Sequence, residues 1–383
     1  MSDTSQVQLR IYKETTWGET PSTGNKMTNL NITSESLQGS VATKKSAVIR
    51  SDGNVKTVGR TSTGANGSTA FELAYGELDD IFAGSLRGAW ETTVSISATT
   101  IAAVDSGNLI TDSGSGLGDI IDGQWIQIAG FTGDTNNNGL GKVTAAAAGQ
   151  LTISGHDLAD DAAGETVTLK GTLLHNGTTE SSFLIEKQLA SNVFEYFTGM
   201  EVASAGFTFT LDDFVTVSTD WLGKAAARAT ATQGDGSPTA ATTNDSMNTI
   251  DSLSVYIDTA LTTLDVTSFN FTITPNLREK RALGNLGSIG IGAGTFTITG
   301  SLEIHNEDNS LLSDLDSFTT KALAIAVADA AGNKYVFDFP SVKFTSGTRT
   351  TPGQDQDVLT SVGFECQLND EISAMMGITR IPA

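Results

Sequence analysis

Two separate segments of the chain carry the same pattern of apolar residues, an alternation at every second position followed by a helical spacing. In residues 64–86 these positions are Phe71, Leu73 and Tyr75, then Ile81, Phe82 and Leu86. In residues 292–315 they are Phe296, Ile298, Leu302 and Ile304, then Leu311, Leu312 and Leu315. Period two is typical of a strand and period 3.6 of a helix. Each segment therefore predicts a strand that leads into a short helix.

Acidic residues stand where each of these predicted helices begins. The first helix is preceded by Glu77, Asp79 and Asp80, and the second by Glu307 and Asp308. Carboxylates in a first helical turn are stabilised by the positive end of the helix dipole. A structural role accounts for these acids without any catalytic task.

The region before the first helix predicts an arm and a projecting hairpin. Residues 1–29 begin with alternating Val7, Leu9 and Ile11 and continue into a polar stretch rich in turn formers, which indicates an N-terminal arm. Within 41–60, Asp52-Gly53 marks a turn between two short apolar runs. We expect this hairpin to project, because its tip carries Lys44, Lys45 and Arg50 and few apolar anchors.

The segment 94–169 differs in character from its surroundings. It consists of short β-type runs separated by glycine-rich and acidic loops, which is enough for a small barrel or sandwich. Longer strand patterns resume after it, so we interpret it as a domain inserted into a first unit made of 30–93 and 170–229. Residues 230–249 are small, polar and aperiodic, which indicates a linker.

A second unit, 250–383, repeats the order of the first. Its segment REKRALGNLGSIGIGAG stands where the first unit has its Lys-rich hairpin, and its strand-to-helix segment follows. We match FLIEKQL with YVFDFPSVKF, and GFTFTLDDFVTVS with VLTSVGFECQL. The predicted fold class is mainly β: two tandem β-barrel or sandwich units, each with a short helix, and a small inserted β-domain.

The net charge of the chain excludes binding of nucleic acid through a basic surface. Forty-four acidic against 22 basic residues give a net charge of −22, whereas DNA-binding surfaces neutralise phosphates with Lys and Arg. The N-terminal MSDTSQVQLR lacks the features of a signal peptide, and no run of about 18 apolar residues is present. We therefore expect no membrane insertion, and a product that stays in the cytoplasm of the cell that makes it.

Candidate chemistry in the sequence is better explained by structure. Residues 134–139 match four positions of a calcium-binding EF-hand loop, but position 12 is Ala145 rather than Glu. The three histidines lack the spacing of metal ligands. Cys366 stands at a position in the alternation of its strand that is predicted to face the core, so we expect it to be a small buried apolar residue. We predict no catalytic, cofactor-binding or metal-binding residues, no cofactor, and no enzymatic activity.

Several stretches resemble the tail tube (major tail) proteins of long-tailed, non-contractile bacteriophages, or siphophages. They are GRTSTGANGSTAFELAYGELDDIFAGSLRGAWE, LGNLGSIGIGAGTFTITGSLEIHNEDNSLLSDL, FPSVKF and the closing IPA. The resemblance implies a β-barrel or sandwich flanked by a helix and assembled into stacked rings around a channel for the genome. Two units per chain would close such a ring as a trimer with pseudo-sixfold symmetry.

The resemblance also implies which residues touch the next ring. Hairpins in the places of 41–60 and 278–294 reach the neighbouring ring in that family. The basic residues in them are the predicted ring-to-ring contacts: Lys44, Lys45, Arg50, Lys56, Arg278, Lys280 and Arg281. Further expected partners are the tape measure, terminator and distal tail proteins, with DNA only as a non-adhering cargo. The expected location is the tail of the virion, after assembly in the bacterial cytoplasm.

One alternative from another class remains at the level of sequence. Acidic, Thr-rich β-sandwiches are also typical of surface or secreted adhesins and carbohydrate-binding modules. The repeated strand-to-helix segment and the missing signal peptide favour the tail tube interpretation.

Overall fold

The computed structural model describes residues 6–21, 25–250, 253–262, 264–305, 309–351 and 353–383. Within these residues the chain forms 26 strands and two α-helices. The predicted fold class, mainly β with short helices, is confirmed.

The elements follow the chain in four groups. Before the predicted insert lie β1 (Gln8–Lys13), β2 (Thr28–Leu30), β3 (Ser34–Glu35), β4 (Gln38–Lys45), β5 (Val58–Glu72) and α1 (Asp79–Leu86). The next group is β6 (Val94–Ala98), β7 (Ile101–Val104), β8 (Leu109–Asp112), β9 (Trp125–Ala129), β10 (Gly139–Ala147), β11 (Gln150–Ser154) and β12 (Val167–His175). Then come β13 (Phe183–Ala190), β14 (Val193–Thr210), β15 (Thr216–Gly223) and β16 (Ala225–Ala229). The last group is β17 (Leu253–Ile257), β18 (Ala260–Leu261), β19 (Val266–Thr274), β20 (Arg278–Lys280), β21 (Gly290–Gly292), β22 (Thr297–His305), α2 (Ser310–Asp316), β23 (Thr320–Ala328), β24 (Lys334–Thr350), β25 (Leu359–Cys366) and β26 (Gly377–Ile381).

One continuous antiparallel sheet crosses both predicted units. Its strands follow the order β4, β5, β15, β14, β19, β22, β25, β24, β23 and β17. The two units meet where β14 pairs with β19, over Ala205–Thr210 and Ser268–Ile273. Most buried apolar residues of both units belong to a single cluster. The chain therefore has one shared core in place of two separate ones.

The repeat is visible in the pairing of the strands. In the first unit β13 pairs with β1 and β14, and β15 joins β14 to β5. In the second, β23 pairs with β17 and β24, and β25 joins β24 to β22. A bulge interrupts β14 between Val202 and Ser204, and another interrupts β24 between Phe344 and Ser346. Both units thus share strand order and bulge position.

This pairing corrects one match made from the sequence. FLIEKQL is β13 and corresponds to β23, ALAIAVA, so its match with YVFDFPSVKF in β24 was wrong. The counterpart of β24 is β14, because each is a long strand that pairs first with the strand before it and then with the strand after it. Alternation alone cannot separate neighbouring strands of one sheet, since each carries the same period.

Helix α1 packs across the boundary between the units. Its predicted apolar residues Ile81, Phe82 and Leu86 are buried. The Phe82 ring lies 5.5 Å from the ring of Phe207 in β14 and 5.6 Å from that of Tyr335 in β24. Because the helix touches both long strands, it fixes one unit against the other.

The acids predicted at the helix starts have different outcomes. Asp79 lies in the first turn of α1, as expected. Its carboxylate also accepts hydrogen bonds from the Tyr335 hydroxyl, at 2.5 Å, and from Arg380. Asp79 therefore ties the helix to β24 and β26 in addition to facing the helix dipole. Glu307 and Asp308 lie outside the described residues.

The predicted arm and linker both contact the sheet. Strand β1 pairs with β13, and Arg10 forms a buried ion pair with Glu186 at 3.0 Å. In the linker Met247 is fully buried, and its N–H donates to Leu73 O at 2.7 Å. The domain boundaries stay a prediction, but both segments are packed against the first unit.

The segment 94–169 has its own hydrophobic cluster and docks on the second unit. The cluster runs from Val94 to Leu169. At the docking surface Lys142 Nζ donates to both carboxylate oxygens of Asp338, at 2.9 and 2.7 Å, and Trp125 Nε1 donates to Oδ1 at 3.0 Å. The Lys142 and Asp338 side chains are only 8% and 3% exposed. An ion pair between residues 196 positions apart thus joins the inserted segment to β24.

Replacing Lys142 with Met should destabilise the chain strongly. The change leaves the Asp338 carboxylate buried without its cation, and breaking such a pair costs about 3–5 kcal/mol. Urea unfolding would measure the loss, and a second variant that also replaces Asp338 with Leu should recover part of it. Arg50→Met, which removes an exposed ion pair, is the matched control and should leave the midpoint unchanged. Equal midpoints for Lys142→Met and this control would contradict the structural role of the buried pair.

Candidate assembly surfaces

The first hairpin, made of β4, β5 and the tip residues 46–57, has little support at its tip. Paired strands end at Lys45 opposite Val58, and β4 is exposed along its whole length. In the tip the Ile49 side chain is 98% exposed. Gly53 has a φ of +69°, which suits the turn predicted at Asp52-Gly53. The hairpin thus projects from the sheet with apolar and basic side chains in solvent.

The predicted contact residues of this hairpin differ in how much charge they offer. Lys44 and Lys45 end β4 and are exposed, and Lys56 lies in the exposed tip. The Arg50 guanidinium is already bound to the Asp52 carboxylate, with Nε 2.9 Å from Oδ1 and Nη2 2.6 Å from Oδ2. This hydrogen bond lowers the pKa of Asp52 to about 2. The three lysines are therefore the main cations among the predicted contact residues of this hairpin.

The second hairpin, made of β20, β21 and the loop 281–289, lies beside the first. Arg278 donates to Ala293 O at 3.3 Å, and the Arg281 guanidinium pairs with Glu279. The Thr63 N–H of β5 donates to Leu286 O of this loop at 2.9 Å. The structure thus brings both sets of predicted basic residues to one end of the sheet, which we call the hairpin end.

Sequence reasoning missed further exposed residues at the hairpin end. Arg60 of β5 lies opposite Thr43 and is exposed. Leu283 is fully exposed at the tip of the second hairpin, and Val48 is 55% exposed in the first. The position of Arg60 in the predicted hairpin could have identified it. The apolar residues carried no such signal, because isolated exposed apolar side chains are common on protein surfaces.

The opposite end of the sheet, the turn end, is acidic. Since neighbouring strands are antiparallel, the loops 73–78, 211–215, 262–265 and 351–358 all lie there. Their described residues include no Lys or Arg, and their acids are Glu77, Asp212, Asp213, Asp265, Asp355 and Asp357. Burial raises the pKa of Glu77. The turn end also exposes Leu211, Phe214 and Ile250, at 61%, 45% and 69%. The two ends of the sheet are thus complementary in charge, and both expose apolar side chains.

The motifs considered for other chemistry have structural roles. Asp134, the first position of the calcium-like loop, accepts a hydrogen bond from Asn136 N and caps a short 3₁₀ turn. Cys366 is buried as predicted, and burial raises the pKa of its thiol. Among the described residues no group of three or more His, Cys, Asp or Glu side chains is placed to hold a metal ion. The described helices are also too short to cross a bilayer.

Comparison with protein families identifies the chain. The model of the phage tail tube protein family matches residues 4–366. The chain belongs to the phage tail tube protein family. No curated protein matches it significantly. Membership gives this tail tube protein a structural role as a component of the phage tail. The match extends across the first unit and the inserted segment and ends at residue 366 of the second unit.

Shortening the first hairpin should leave the tail tube protein folded. Replacing residues 46–57 with Asn-Gly joins β4 to β5 through a two-residue turn suited to hairpins. The tip is exposed and adds no side chain to the buried core, so the free energy of unfolding should not fall, and the shorter loop should raise it by about 1 kcal/mol because less chain entropy is lost on closure. Thermal unfolding with circular dichroism checks this expectation. A large drop in Tm would show that the tip stabilises the single chain.

Proposed function

We propose that the protein builds the tube of a long, non-contractile phage tail as stacked rings of three copies. Each copy supplies two units of the same strand order, so three copies give a ring of six similar units. The observation that carries this proposal is the continuous sheet, in which β14 of one unit pairs with β19 of the next over Ala205–Thr210. The family membership supports the tube itself, and the duplication supports the number of copies.

The proposed tube is a conduit for DNA that its wall does not bind. With a net charge of −22 per chain, the wall repels the phosphates of the duplex. Eight of the 22 basic residues lie at the hairpin end, and the lysines among them are available to protein partners. Other tail proteins, including tape measure, terminator and distal tail proteins, are the expected partners at the two ends and inside the tube.

In this arrangement the hairpin end of one ring contacts the turn end of the next. The lysines of the first hairpin then face acids such as Asp212 and Asp213, and the exposed apolar side chains of both ends become covered. Exposed ion pairs contribute about 0.2–1 kcal/mol each, but every ring repeats them. Contacts between unlike ends leave a new free end after each addition, so the stack extends.

Negative-stain imaging of the purified protein over a concentration series tests the proposal. We expect rings or tubes with three copies per ring, and sedimentation should show mass that rises with concentration. Rings of six copies would contradict the trimer but not the tube. A monomer at every concentration would contradict self-assembly of the protein alone.

Reversing the charges of Lys44 and Lys45 to Glu should shorten or abolish tubes. Both residues are exposed, so the chain should stay folded while the contact between rings loses its attraction. Adding Asp212→Lys and Asp213→Lys should restore tube length, because the opposite charges meet again. Tube lengths in micrographs at low and physiological salt provide the measurement.

The control for this experiment is Lys13→Glu with Lys26→Glu. It makes the same change in net charge at exposed positions outside the hairpins. Tubes of normal length are expected from it. Equal shortening in both double variants would point to net charge alone, and normal tubes from Lys44→Glu with Lys45→Glu would remove the first hairpin from the ring-to-ring contact.

A further inference from the structure

We propose that neighbouring copies in a ring join edge to edge, in the register that β14 and β19 use within one chain. The edge at Ser34–Gly39 of one copy would pair with the edge at Gly347–Thr350 of β24 in a second copy. This inference rests on the proposed function, because it requires copies to meet side by side. It goes beyond that function by naming the strands that pair, their register, and the side chains that block this pairing in the isolated chain.

The repeat identifies the equivalent positions. In the first unit Gly67 of β5 lies opposite Trp221 of β15 and against Leu37. In the second, Gly300 of β22 lies opposite Phe364 of β25 and opposite Phe271 of β19. Leu37 is therefore the counterpart of Phe271. Counting from the shared bulge makes Gly347 of β24 the counterpart of Ala205 in β14.

The same edge is occupied in one unit and open in the other. On β14, strand β13 pairs as far as Met200, and β19 takes over from Ala205. On β24, strand β23 pairs as far as Lys343, and no strand of the described chain continues along that edge. Likewise β19 pairs with both β14 and β22, whereas β3 and β4 pair only with β5. The chain thus contains one completed junction and the two halves of another.

The completed junction defines the register of the proposed one. Leu211 N donates to Thr267 O at 3.3 Å. Since hydrogen-bonded and non-hydrogen-bonded pairs alternate in an antiparallel ladder, Phe207 and Phe271 form a hydrogen-bonded pair, and Thr208 and Asn270 do not. In the proposed contact between two copies, the N–H and C=O of Leu37 point away from β5 and toward the neighbouring copy. Ser36 lies opposite Thr350 at a non-hydrogen-bonded position.

In the isolated chain two charged side chains occupy this outward-facing backbone. Leu37 N donates to the Glu35 carboxylate at 2.9 Å, and Leu37 O accepts from Lys187 Nζ at 3.4 Å. Lys187 and Glu35 also form an ion pair at 3.2 Å. Charged side chains commonly protect an exposed edge strand from unwanted pairing. Glu35 therefore holds the place that the neighbouring copy takes, and it must release Leu37 before the strands pair.

The side chains fit a contact that forms only on assembly. Within the chain the Phe207 and Phe271 rings stack with centroids 4.4 Å apart. Their counterparts across the proposed contact are Arg349 and Leu37, so no aromatic pair joins the two copies. The proposed contact depends more on main-chain hydrogen bonds, which Glu35 can replace in the single chain.

Cysteine cross-linking tests the register in the full chain. Ser36→Cys combined with Thr350→Cys places two thiols at a non-hydrogen-bonded pair, where the Cα separation of about 4.5 Å lies within the range of disulfides. Under mild oxidation we expect covalent dimers and trimers with no larger species. The matched positive control is Thr208→Cys with Asn270→Cys, which should form the equivalent disulfide within one chain. Ser40→Cys with Thr350→Cys shifts the register by four residues and should not cross-link.

The outcomes separate this inference from the proposed function. Tubes or rings without cross-linking by the Ser36 and Thr350 pair, or with equal cross-linking by the shifted pair, overturn the edge contact while the tube proposal stands. A ladder that extends beyond the trimer supports the edge contact and overturns the closed ring of three. Failure to form either assemblies or cross-links overturns both.

A Glu35→Ala substitution in the same cysteine background tests the protective role. With Leu37 N–H released, cross-linked trimers should appear at a lower protein concentration than with Glu35 present. The control pair at Thr208 and Asn270 should cross-link within one chain as before. An unchanged or higher concentration overturns the proposed protection by Glu35.

Discussion

The pairing of β14 with β19 is the constraint on which the rest of the structure depends. It converts two repeated units into one sheet and gives them a shared core, so neither unit has a complete hydrophobic core of its own. Helix α1 reinforces the same boundary, because Phe82 lies against the long strands of both units. An end-to-end repeat of folded domains would leave the units able to move. A shared sheet fixes their relative orientation.

The inserted segment adds a connection between the units that a simple tandem repeat would lack. It is inserted into the sequence of the first unit but packs against the second, where Lys142 and Trp125 bind Asp338. Strand β12 continues this connection, since it pairs with β6 and β9 at its start and with β26 at its end. The sheet, helix α1, the inserted segment and the second hairpin therefore all connect the two units.

The sequence predicted the local elements better than their partners. The strand-to-helix segments were recognisable because a change of period needs only neighbouring residues, and the buried Ile81, Phe82 and Leu86 confirm the first. The match of FLIEKQL to the wrong strand shows the limit of periodicity. The partners of Asp79 and Asp338 were not predictable, since Arg380 lies 301 residues from Asp79 and Lys142 lies 196 residues from Asp338 along the chain. The positions of the basic residues followed from their hairpins, whereas the surface that we propose they contact belongs to another copy.

The contacts of β26 join parts of the chain that are far apart in sequence. This strand, Gly377–Ile381, lies at the C-terminal end of the chain and pairs with both β12 and β24. Its Arg380 also binds Asp79 of helix α1. A local opening that releases β26 removes a strand partner from both β12 and β24 and the cation from Asp79 at the same time. Strands β12 and β24 and helix α1 are therefore coupled through β26, so they belong to one cooperative unit of local unfolding.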